Sequence, residues 1–496
     1  MLKLQNGSDI RGIACQNDEK EVNLTPDRVK RIFLAFNEWL GSKSDKMEIK
    51  IAIGTDSRIT GTEFREIGID ALTSEGVQVL DCEMATTPAM FMTTVMDGYN
   101  CDGAVMITAS HLPYYHNGFK FFTKDGGLEK SDITEILTIA SSIDLKEEHI
   151  EHNGEVEVRN LIEDYSKLLV DKIRSEVNSS ENYDKPLLGT KILVDAGNGA
   201  GGFFEDKILA VLGADTTGSQ FLNPDGMFPN HIPNPENKEA MKSACDAVVA
   251  NESDIGIIFD TDVDRAALVG RGGKSINTNA LIALISKIIL NEHPNSTIVT
   301  DSITSDGLTK FIESNGGVHH RFKRGYKNVI NEAIRLNAQG EKSYIAIETS
   351  GHAALEENYF LDDGSYLIAK ILIEVARLKE RNLTVMDLIA DLEEPLESEE
   401  HRISIEVEDF KPYAQGIIED LKEYVSKFEG WSQAPKNYEG VRVNCDEMSG
   451  NGWFLARISL HEPLLVLNIE SNERGGASNI YSELKKFLSA YNLIQF

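Results

Sequence analysis

The chain has 496 residues and a formal net charge of −31, because 80 Asp and Glu residues outnumber 49 Lys and Arg residues. This balance excludes a protein that coats nucleic acid or an acidic membrane, since such partners require dense Lys and Arg. A small phosphorylated ligand remains compatible, because it needs only a few local basic groups. With 41% hydrophobic residues, the chain is long enough for three or four globular domains.

Targeting and redox features indicate a cytoplasmic protein. The first residues lack the apolar core of a signal peptide. The best apolar run, residues 280–290, is interrupted by Ser286 and Lys287 and is shorter than the ~20 residues that a membrane span requires. The five cysteines are scattered without a CxxC pair, which favours reduced, buried thiols.

Three stretches repeat one order of elements: a β-branched strand ending at a carboxylate, a polar or glycine-rich turn, a helical segment and a glycine. They cover residues 50–76, 191–213 and 297–316. This order is typical of βαβ units in doubly wound sheets. We therefore predict an α/β fold with three related domains whose sheets are mixed and largely parallel.

The last hundred residues follow a different pattern. The acidic run 393–400 predicts a linker, because like charges repel and Pro395 interrupts a helix. Alternating segments at 402–407 and 464–469 surround a helical stretch at 417–428, which predicts a small α+β domain. The expected domains are 1–158, 159–272, 273–393 and 394–496.

A loop with a serine beside a histidine follows the apolar strand 103–107. Ser110 and His111 precede Lys120 by about ten residues, so the loop could hold a nucleophile with a basic neighbour. An ordinary turn explains the same residue types and is favoured by the loop alone. The loop is not a GxSxG elbow, which disfavours an α/β-hydrolase.

A second loop places three carboxylates at alternate positions after the apolar strand 255–259. Asp260, Asp262 and Asp264 would repel one another unless a cation neutralises them, and their oxygen ligands favour Mg²⁺. An EF-hand is the alternative metal site, but Arg265 and Arg271 occupy its required glycine and glutamate positions. A solvated acidic loop is the interpretation without function.

Two further loops carry weaker patterns. Glu348, Ser350 and His352 could hydrogen-bond adjacent sugar hydroxyls. Residues 457–463 contain an arginine, a serine and a histidine, which fit phosphate capture but also an ordinary rim loop.

One motif suggests a different class of protein, an NAD-binding oxidoreductase. Residues 197–202 satisfy GxGxxG after a strand, and Asp215 follows at about the expected distance. No clear apolar strand precedes Asp215, however, so a structural tight turn is the favoured interpretation.

Taken together and in this order, the loops resemble those of the α-D-phosphohexomutase superfamily, the phosphoglucomutase/phosphomannomutase group. The resemblance runs from residues 9–12 through the serine and aspartate loops to residues 348–352, 362–364 and 457–463. It implies four domains around a central cleft. It also implies an enzyme that interconverts hexose 1-phosphate and hexose 6-phosphate of glucose or mannose, through a phosphoserine and a hexose 1,6-bisphosphate. The expected cofactor is Mg²⁺.

The resemblance also implies a role for each matching residue. The catalytic group would be Ser110, His111, Lys120, Arg11 and Arg265. The metal would be bound by Ser110, Asp260, Asp262 and Asp264. Substrate would be bound by Glu348, Ser350, His352, Arg457, Ser459, His461, Tyr326 and Lys327.

This sequence departs from the family pattern in places that affect phosphate and sugar recognition. His461 stands where a hydroxyl donor is common, and Tyr326 replaces a histidine proposed as acid or base. Ile303 stands where a lysine is frequent. The serine and phosphate loops also resemble a plant-like branch of the family. A phosphoglucosamine mutase and a sugar-phosphate-binding relative with reduced catalysis are the alternatives, and a monomer or a homodimer is expected.

Overall fold

The structure is a computed structural model that describes residues 1–18, 20–44, 46, 48–145, 153–459 and 462–496. The chain divides into two compact units. Unit one contains Met1–Asn277 and Ser350–Asp387, and unit two contains Thr278–Thr349 and Leu388–Phe496. No helix in the described ranges combines the length and apolar character that crossing a bilayer requires.

Unit one begins with a mixed sheet of eight strands. They are β1 (Gln5–Asn6), β2 (Asp9–Ile13), β3 (Lys50–Thr55), β4 (Gln78–Met84), β5 (Gly103–Ile107), β6 (His116–Thr123), β7 (Gly126–Gly127) and β8 (Val156–Val158). The order is β1-β2-β6-β5-β3-β4-β8, with β7 beside β6. Strand β3 pairs in parallel with β4 and β5, whereas β6 pairs antiparallel with β5 and β2.

Aromatic side chains form the core beside this sheet. The helices of this part are α1 (Pro26–Ser42), α2 (Gly61–Ser74), α3 (Thr87–Met92), α4 (Lys130–Ser142) and α5 (Leu161–Val177). Phe33 of α1 packs edge-on against Phe119 of β6 with ring centroids 5.4 Å apart. Gly68 lets α2 approach α1 closely, because a Cβ there would lie 2.5 Å from the Phe33 ring.

The next sheet of unit one contains the second predicted repeat. Its strands are β9 (Ile192–Asp195), β10 (Ile255–Phe259), β11 (Ala266–Gly270) and β12 (Lys274–Ile276), accompanied by α6 (Lys238–Ala250). Strands β9 and β10 are parallel, while β10–β11 and β11–β12 are antiparallel. The helical segment after β9 is a 3₁₀ turn at Ala200–Gly202 followed by a π-helix at Phe204–Leu209, rather than an α-helix.

Unit two begins with the third repeat. Its elements are α7 (Thr278–Glu292), β13 (Thr297–Thr300), α8 (Asp306–Ser314), β14 (Val318–Arg321), α9 (Tyr326–Ala338) and β15 (Ser343–Ile347). Strand β13 pairs in parallel with both β14 and β15. Gly316 follows α8 with a φ of 81°, so a glycine ends this helical segment as the pattern predicts.

The chain returns to unit one for a short hairpin and a long helix. The hairpin strands are β16 (Ala353–Leu355) and β17 (Leu361–Asp362), which pair antiparallel. Helix α10 (Gly364–Glu380) follows, and then the short α11 (Val385–Leu388).

The C-terminal part of unit two is an antiparallel sheet with helices, as the sequence predicts. Its elements are β18 (Glu397–Ile405), α12 (Phe410–Lys427), β19 (Trp431–Gln433), β20 (Val441–Cys445), β21 (Gly452–Ile458), β22 (Leu464–Ser471), α13 (Gly476–Leu488) and β23 (Ile494–Gln495). The order is β19-β20-β21-β22-β18-β23. Apolar side chains of α12 and α13 bury against this sheet, including Leu421 and Leu484.

The acidic run 393–400 is only partly a linker, because β18 already begins at Glu397. The Glu397 carboxylate accepts hydrogen bonds from the backbone N–H groups of Gly475 and Ala477, and Glu400 accepts one from Asn468 Nδ2. These partners offset the repulsion between like charges that suggested an extended linker. The prediction was therefore wrong for its second half.

Candidate active site

Unit one brings together two of the predicted loops. The Ser110 loop connects β5 to β6, and residues 260–265 connect β10 to β11. Lys120 comes from β6, and Arg11 comes from the adjacent strand β2. Four separate segments therefore supply one group of polar side chains that is almost entirely buried.

Ser110 lies at the centre of this group. Its Oγ is 3.4 Å from Asp260 Oδ2 and 3.2 Å from His111 Nδ1, and Arg265 Nη2 donates to it at 3.4 Å. Its φ is 52°, a left-handed backbone conformation that is uncommon for a residue with a side chain. The hydroxyl therefore faces a carboxylate, an imidazole and a guanidinium at once.

The three aspartates form the metal-binding candidate. All three are completely buried, and each offers an oxygen within 4.8 Å of the others. Asp262 Oδ1 and Asp264 Oδ1 have no hydrogen-bond partner. A buried carboxylate oxygen without a partner is costly, and a divalent cation would satisfy both of these. The donor set therefore fits Mg²⁺.

The charges of the site shift the pKa values of the aspartates in opposite directions. Burial raises the pKa of both Asp260 and Asp262, and repulsion from Asp264 adds to the rise. Burial also acts to raise the pKa of Asp264, but Lys120, His352 and Arg265 together hold it well below its usual range. The loop thus contains one firmly ionised carboxylate and two whose ionisation an added cation would favour.

Two predicted cations lie beside this loop. Lys120 Nζ is 2.8 Å from Asp264 Oδ2 and 3.9 Å from Asp9 Oδ2. Arg11 Nη2 is 2.9 Å from the same Asp9 oxygen. Asp9 therefore holds Arg11 and Lys120 on one side of the carboxylate loop.

Two histidines of the site, His111 and His352, are in different protonation states. Burial and the charges of Arg265 and Arg11 lower the pKa of His111 to about 2, so its ring is neutral and Nδ1 accepts a 2.6 Å hydrogen bond from Arg265 Nη2. Burial also acts to lower the pKa of His352, but Asp362 and Asp264 raise it to about 9. His352 Nδ1 lies 2.5 Å from Asp362 Oδ2, so this residue expected to bind sugar is held by a carboxylate.

Of the remaining sugar-binding candidates, Ser350 belongs to unit one and Glu348 to unit two. The Glu348 carboxylate accepts a 2.5 Å hydrogen bond from the backbone N–H of Gly325. Tyr326 and Lys327 are the first two residues of α9 and directly follow that glycine. Unit two therefore places Glu348 beside the segment that carries Tyr326 and Lys327.

The phosphate-loop candidates also belong to unit two. Arg457 is almost completely buried near the end of β21, and its Nε donates to Asn468 Oδ1 at 3.3 Å. Burial and the nearby charge of Arg324 lower the pKa of Arg457. Ser459 follows this strand and its Oγ accepts from the backbone N–H of Glu462 at 3.4 Å. His461 lies outside the described residues.

The GxGxxG segment has a structural explanation. A Cβ on Gly199 would lie 2.7 Å from the carbonyl oxygen of Thr261, and one on Gly202 would lie 2.1 Å from that of Leu222. These glycines permit close backbone packing beside the carboxylate loop, which supports the interpretation as a tight turn.

Several site residues were not singled out from the sequence. Thr87 Oγ1 donates to Asp262 Oδ2 at 2.5 Å, and Asn234 Oδ1 accepts from Arg265 Nη1 at 3.1 Å. Arg58 donates to the backbone of the Ser110 loop. Asp56 and Asp362 lie within the ranges 50–76 and 362–364 of the sequence analysis, but no pattern assigned them partners.

Three family models match most of the chain. They describe the α/β/α domains I, II and III of phosphoglucomutase/phosphomannomutase and match residues 2–147, 165–273 and 277–395. The antiparallel C-terminal sheet follows the third matched range.

Curated proteins and solved structures give the same grouping. A phosphoglucomutase of Neisseria gonorrhoeae is 29% identical over 488 residues, covering 97% of this chain and 96% of that protein. A phosphoglucomutase/phosphomannomutase of Thermococcus kodakarensis is 28% identical and covers 98% of both chains. The crystal structure of a phosphoglucomutase/phosphomannomutase family protein of Burkholderia thailandensis has a TM-score of 0.78 at 25% identity, covering 98% of this chain and 96% of that chain.

Proposed function

The chain belongs to the phosphoglucomutase/phosphomannomutase family of the α-D-phosphohexomutase superfamily, and from this premise we propose a phosphohexomutase that works through phosphorylated Ser110. Its substrates are glucose or mannose phosphates, which it interconverts between the 1- and 6-positions. The observation that carries the proposal is the position of Ser110 Oγ, 3.4 Å from both Asp260 Oδ2 and Arg265 Nη2 and beside two carboxylate oxygens without partners.

The proposed step is an in-line transfer of the phosphoryl group from Ser110 to the free hydroxyl of a hexose phosphate. The bond from phosphorus to Oγ breaks, and a bond from phosphorus to the sugar oxygen forms. The sugar hydroxyl loses its proton, and Oγ gains one when the serine is released. The resulting hexose 1,6-bisphosphate reorients and returns its other phosphate to Ser110.

Each nearby side chain has a part in this step. Arg265 donates toward Ser110 Oγ and stabilises the negative charge that develops on the transferring oxygens. His111 is neutral and accepts from Arg265, so it orients the guanidinium. Lys120 and Arg11 supply further positive charge, and Lys120 is the candidate acid and base: its ammonium would give a proton to Ser110 Oγ as the phosphoryl group leaves, and the resulting amine would take the proton that the sugar hydroxyl releases.

The carboxylate loop fits a resident Mg²⁺. Asp260, Asp262, Asp264 and the phosphate on Ser110 would hold it. When bound, the cation neutralises the loop and draws negative charge from the phosphoryl oxygens.

Further residues are proposed to bind the substrate. Glu348, Ser350 and His352 are proposed to contact sugar hydroxyls. Tyr326 and Lys327 are also proposed to bind the substrate. Arg457, Ser459 and His461 are proposed to hold the phosphate that is not transferred, because the guanidinium fork suits a phosphate.

The relatives' names favour glucose and mannose phosphates over glucosamine phosphate. A coupled assay on glucose 1-phosphate, mannose 1-phosphate and glucosamine 1-phosphate tests the proposal. We expect turnover of glucose or mannose 1-phosphate that depends on Mg²⁺ and on traces of a hexose 1,6-bisphosphate. Equal inactivity on all three sugars would contradict it and would favour a relative that binds sugar phosphates without turnover.

A further inference from the structure

We propose that Asp56 and Arg58 are positioning residues that hold Ser110 in its reactive conformation, an inference that rests on the proposed phosphohexomutase function. Both residues lie in the loop that follows β3, a strand next to β5 in the sheet. Neither side chain has any solvent exposure. Neither contacts Ser110 Oγ in the structure, so their role is exerted through the backbone of the serine loop.

Arg58 binds the carbonyl groups of that loop. Its Nη1 donates to the carbonyl oxygens of Pro113 and His116 at 3.0 and 2.9 Å. Its Nη2 donates to the carbonyl oxygen of Ser110 itself and to that of Leu112 at 2.6 Å. One buried guanidinium therefore fixes four carbonyl groups along the turn between β5 and β6. Lysine could not reproduce this, because it lacks the planar, forked donors.

Asp56 holds the backbone amide of Ser110, whereas Arg58 holds its carbonyl group. Asp56 Oδ2 accepts a 2.7 Å hydrogen bond from Thr108 Oγ1, and that hydroxyl oxygen accepts the backbone N–H of Ser110 at 2.9 Å. The other carboxylate oxygen of Asp56, Oδ1, accepts a 2.9 Å hydrogen bond from the backbone N–H of Arg58. The amide of Ser110 is thus held through Thr108, and the carbonyl is held by Arg58.

These contacts hold the backbone of Ser110 in a conformation that it would otherwise leave. The left-handed φ of Ser110 is unfavourable for a residue with a side chain, so it persists only when neighbouring groups fix it. Holding the peptide groups on both sides of the residue fixes the direction of its Cβ. That direction places Oγ between Asp260 and Arg265.

The expected consequence of losing these contacts is a slower phosphoryl transfer. Phosphoryl transfer depends on alignment, and a misplacement of about 1 Å can cost about 100-fold in rate. Loss of the contacts to Ser110 should therefore lower kcat while leaving the substrate-binding residues, and hence KM, nearly unchanged.

The test compares Arg58→Lys and Thr108→Val with the wild-type enzyme. Thr108→Val keeps the side-chain shape but removes the hydroxyl that links Asp56 to the Ser110 amide. Arg65→Lys is the matched control, because Arg65 of α2 binds Asp81 away from the serine loop. For each protein, kcat, KM and Tm are measured with glucose 1-phosphate and mannose 1-phosphate. Intact mass after treatment with glucose 1,6-bisphosphate reports the phosphate on the serine.

We expect kcat to fall by about 100-fold in Arg58→Lys and at least about 10-fold in Thr108→Val, with KM within about threefold of wild type and the control unchanged. Slower phosphorylation by glucose 1,6-bisphosphate should accompany the lower kcat. Wild-type kcat in folded Arg58→Lys, or in folded Thr108→Val if the first variant does not fold, would overturn the inference. A fall in activity that merely follows loss of folded protein in both variants would overturn it too. An inactive wild type would instead overturn the proposed function.

Discussion

At the residue scale, the two carboxylate oxygens without partners distinguish the proposed metal loop from an ordinary acidic turn. Asp262 has one oxygen bound by Thr87 and a second, completely buried, that accepts no hydrogen bond. Lys120, His352 and Arg265 hold the pKa of Asp264 low, whereas burial and repulsion from Asp264 raise the pKa of Asp260 and Asp262. A further cation bound by the loop would favour the ionised form of these two carboxyl groups.

Asp262→Asn should weaken the metal dependence of the enzyme. The substitution removes one charge and one oxygen ligand, so we expect the Mg²⁺ concentration for half-maximal activity to rise by at least about tenfold. Without metal, the variant should be at least as stable as wild type, because repulsion within the loop falls. Titration of activity and of Tm with Mg²⁺ measures both effects. Asp246→Asn, an exposed residue paired with Lys242, is the control. An unchanged Mg²⁺ response would contradict the metal assignment.

The sequence predicts the reactive and metal-binding residues of the site better than the residues that hold them in position. Asp260, Asp262 and Asp264 share one short loop, so their type and spacing indicate a cation directly. The role of Arg58 cannot be predicted from the sequence, because its partners are backbone carbonyl groups more than fifty residues away, and such groups give no side-chain signal. Thr87 and Asn234 carry no local signal either, because their side-chain partners, Asp262 and Arg265, are 175 and 31 residues away along the chain.

At the scale of elements, a buried pair of side chains, His231 and Asp195, helps to join the irregular segment 223–237 to the end of β9. His231 Nε2 lies 3.0 Å from Asp195 Oδ1, and its Nδ1 lies 3.0 Å from the carbonyl oxygen of Ile232. Both ring nitrogens thus face acceptors, which favours the doubly protonated ring. The same segment presents Asn234 to Arg265, so the pair supports the site indirectly.

His231→Gln should lower stability in a pH-dependent way. Burial acts to lower the pKa of His231, but the hydrogen bond to Asp195 and its charge outweigh burial and raise it. The contribution, about 1.5–3 kcal/mol, is fully present below the unfolded pKa of about 6.5 and is lost as the pH rises through the higher folded value. Scanning calorimetry between about pH 6 and pH 9 should show a Tm difference that shrinks as the pH rises.

The control for this prediction is His293→Gln, because His293 stacks on Tyr344 with ring centroids 3.7 Å apart. A Tm loss in His231→Gln that is the same at every pH would contradict the assignment of a charged pair.

The repeated strand–turn–helix–glycine pattern predicts most of the α/β architecture, because hydrophobic strands and terminal glycines are local signals. The pattern does not reveal that the segment after β9 is a π-helix at Phe204–Leu209. Nor does it reveal that Gly199, before this segment, packs closely against Thr261 of the carboxylate loop, because the two residues are far apart in the sequence. Nor does an acidic composition reveal a strand such as β18, whose carboxylates find partners on distant residues.

At the scale of the whole molecule, the net charge of −31 conceals a local concentration of cations. Arg11, Lys120 and Arg265 lie beside the buried aspartates of unit one, and Arg457 is buried in unit two. The chain comprises three α/β domains of one family and a C-terminal antiparallel-sheet domain. Its division at residues 158, 272 and 393 stays a prediction.

Arg457→Lys should separate substrate binding from chemistry at Ser110. The variant keeps the charge but loses the fork that suits a phosphate, so we expect KM for the hexose 1-phosphate to rise by at least about tenfold. Phosphorylation of Ser110 by glucose 1,6-bisphosphate should still reach completion at high concentration. Steady-state kinetics and intact mass measure the two effects. Arg335→Lys, on α9 and paired with Glu332, is the control. An unchanged KM would remove Arg457 from the proposed phosphate site.

The central claim is that Ser110 carries the phosphate that the enzyme transfers, and intact-mass spectrometry tests it most directly. Wild-type protein and Ser110→Ala are incubated with glucose 1,6-bisphosphate and Mg²⁺, freed of ligand and weighed. The account predicts an added mass of about 80 Da on the wild type, lost on reaction with excess glucose 1-phosphate and absent from the variant. A wild type without the added mass, or a Ser110→Ala variant that gains it equally, would contradict the account.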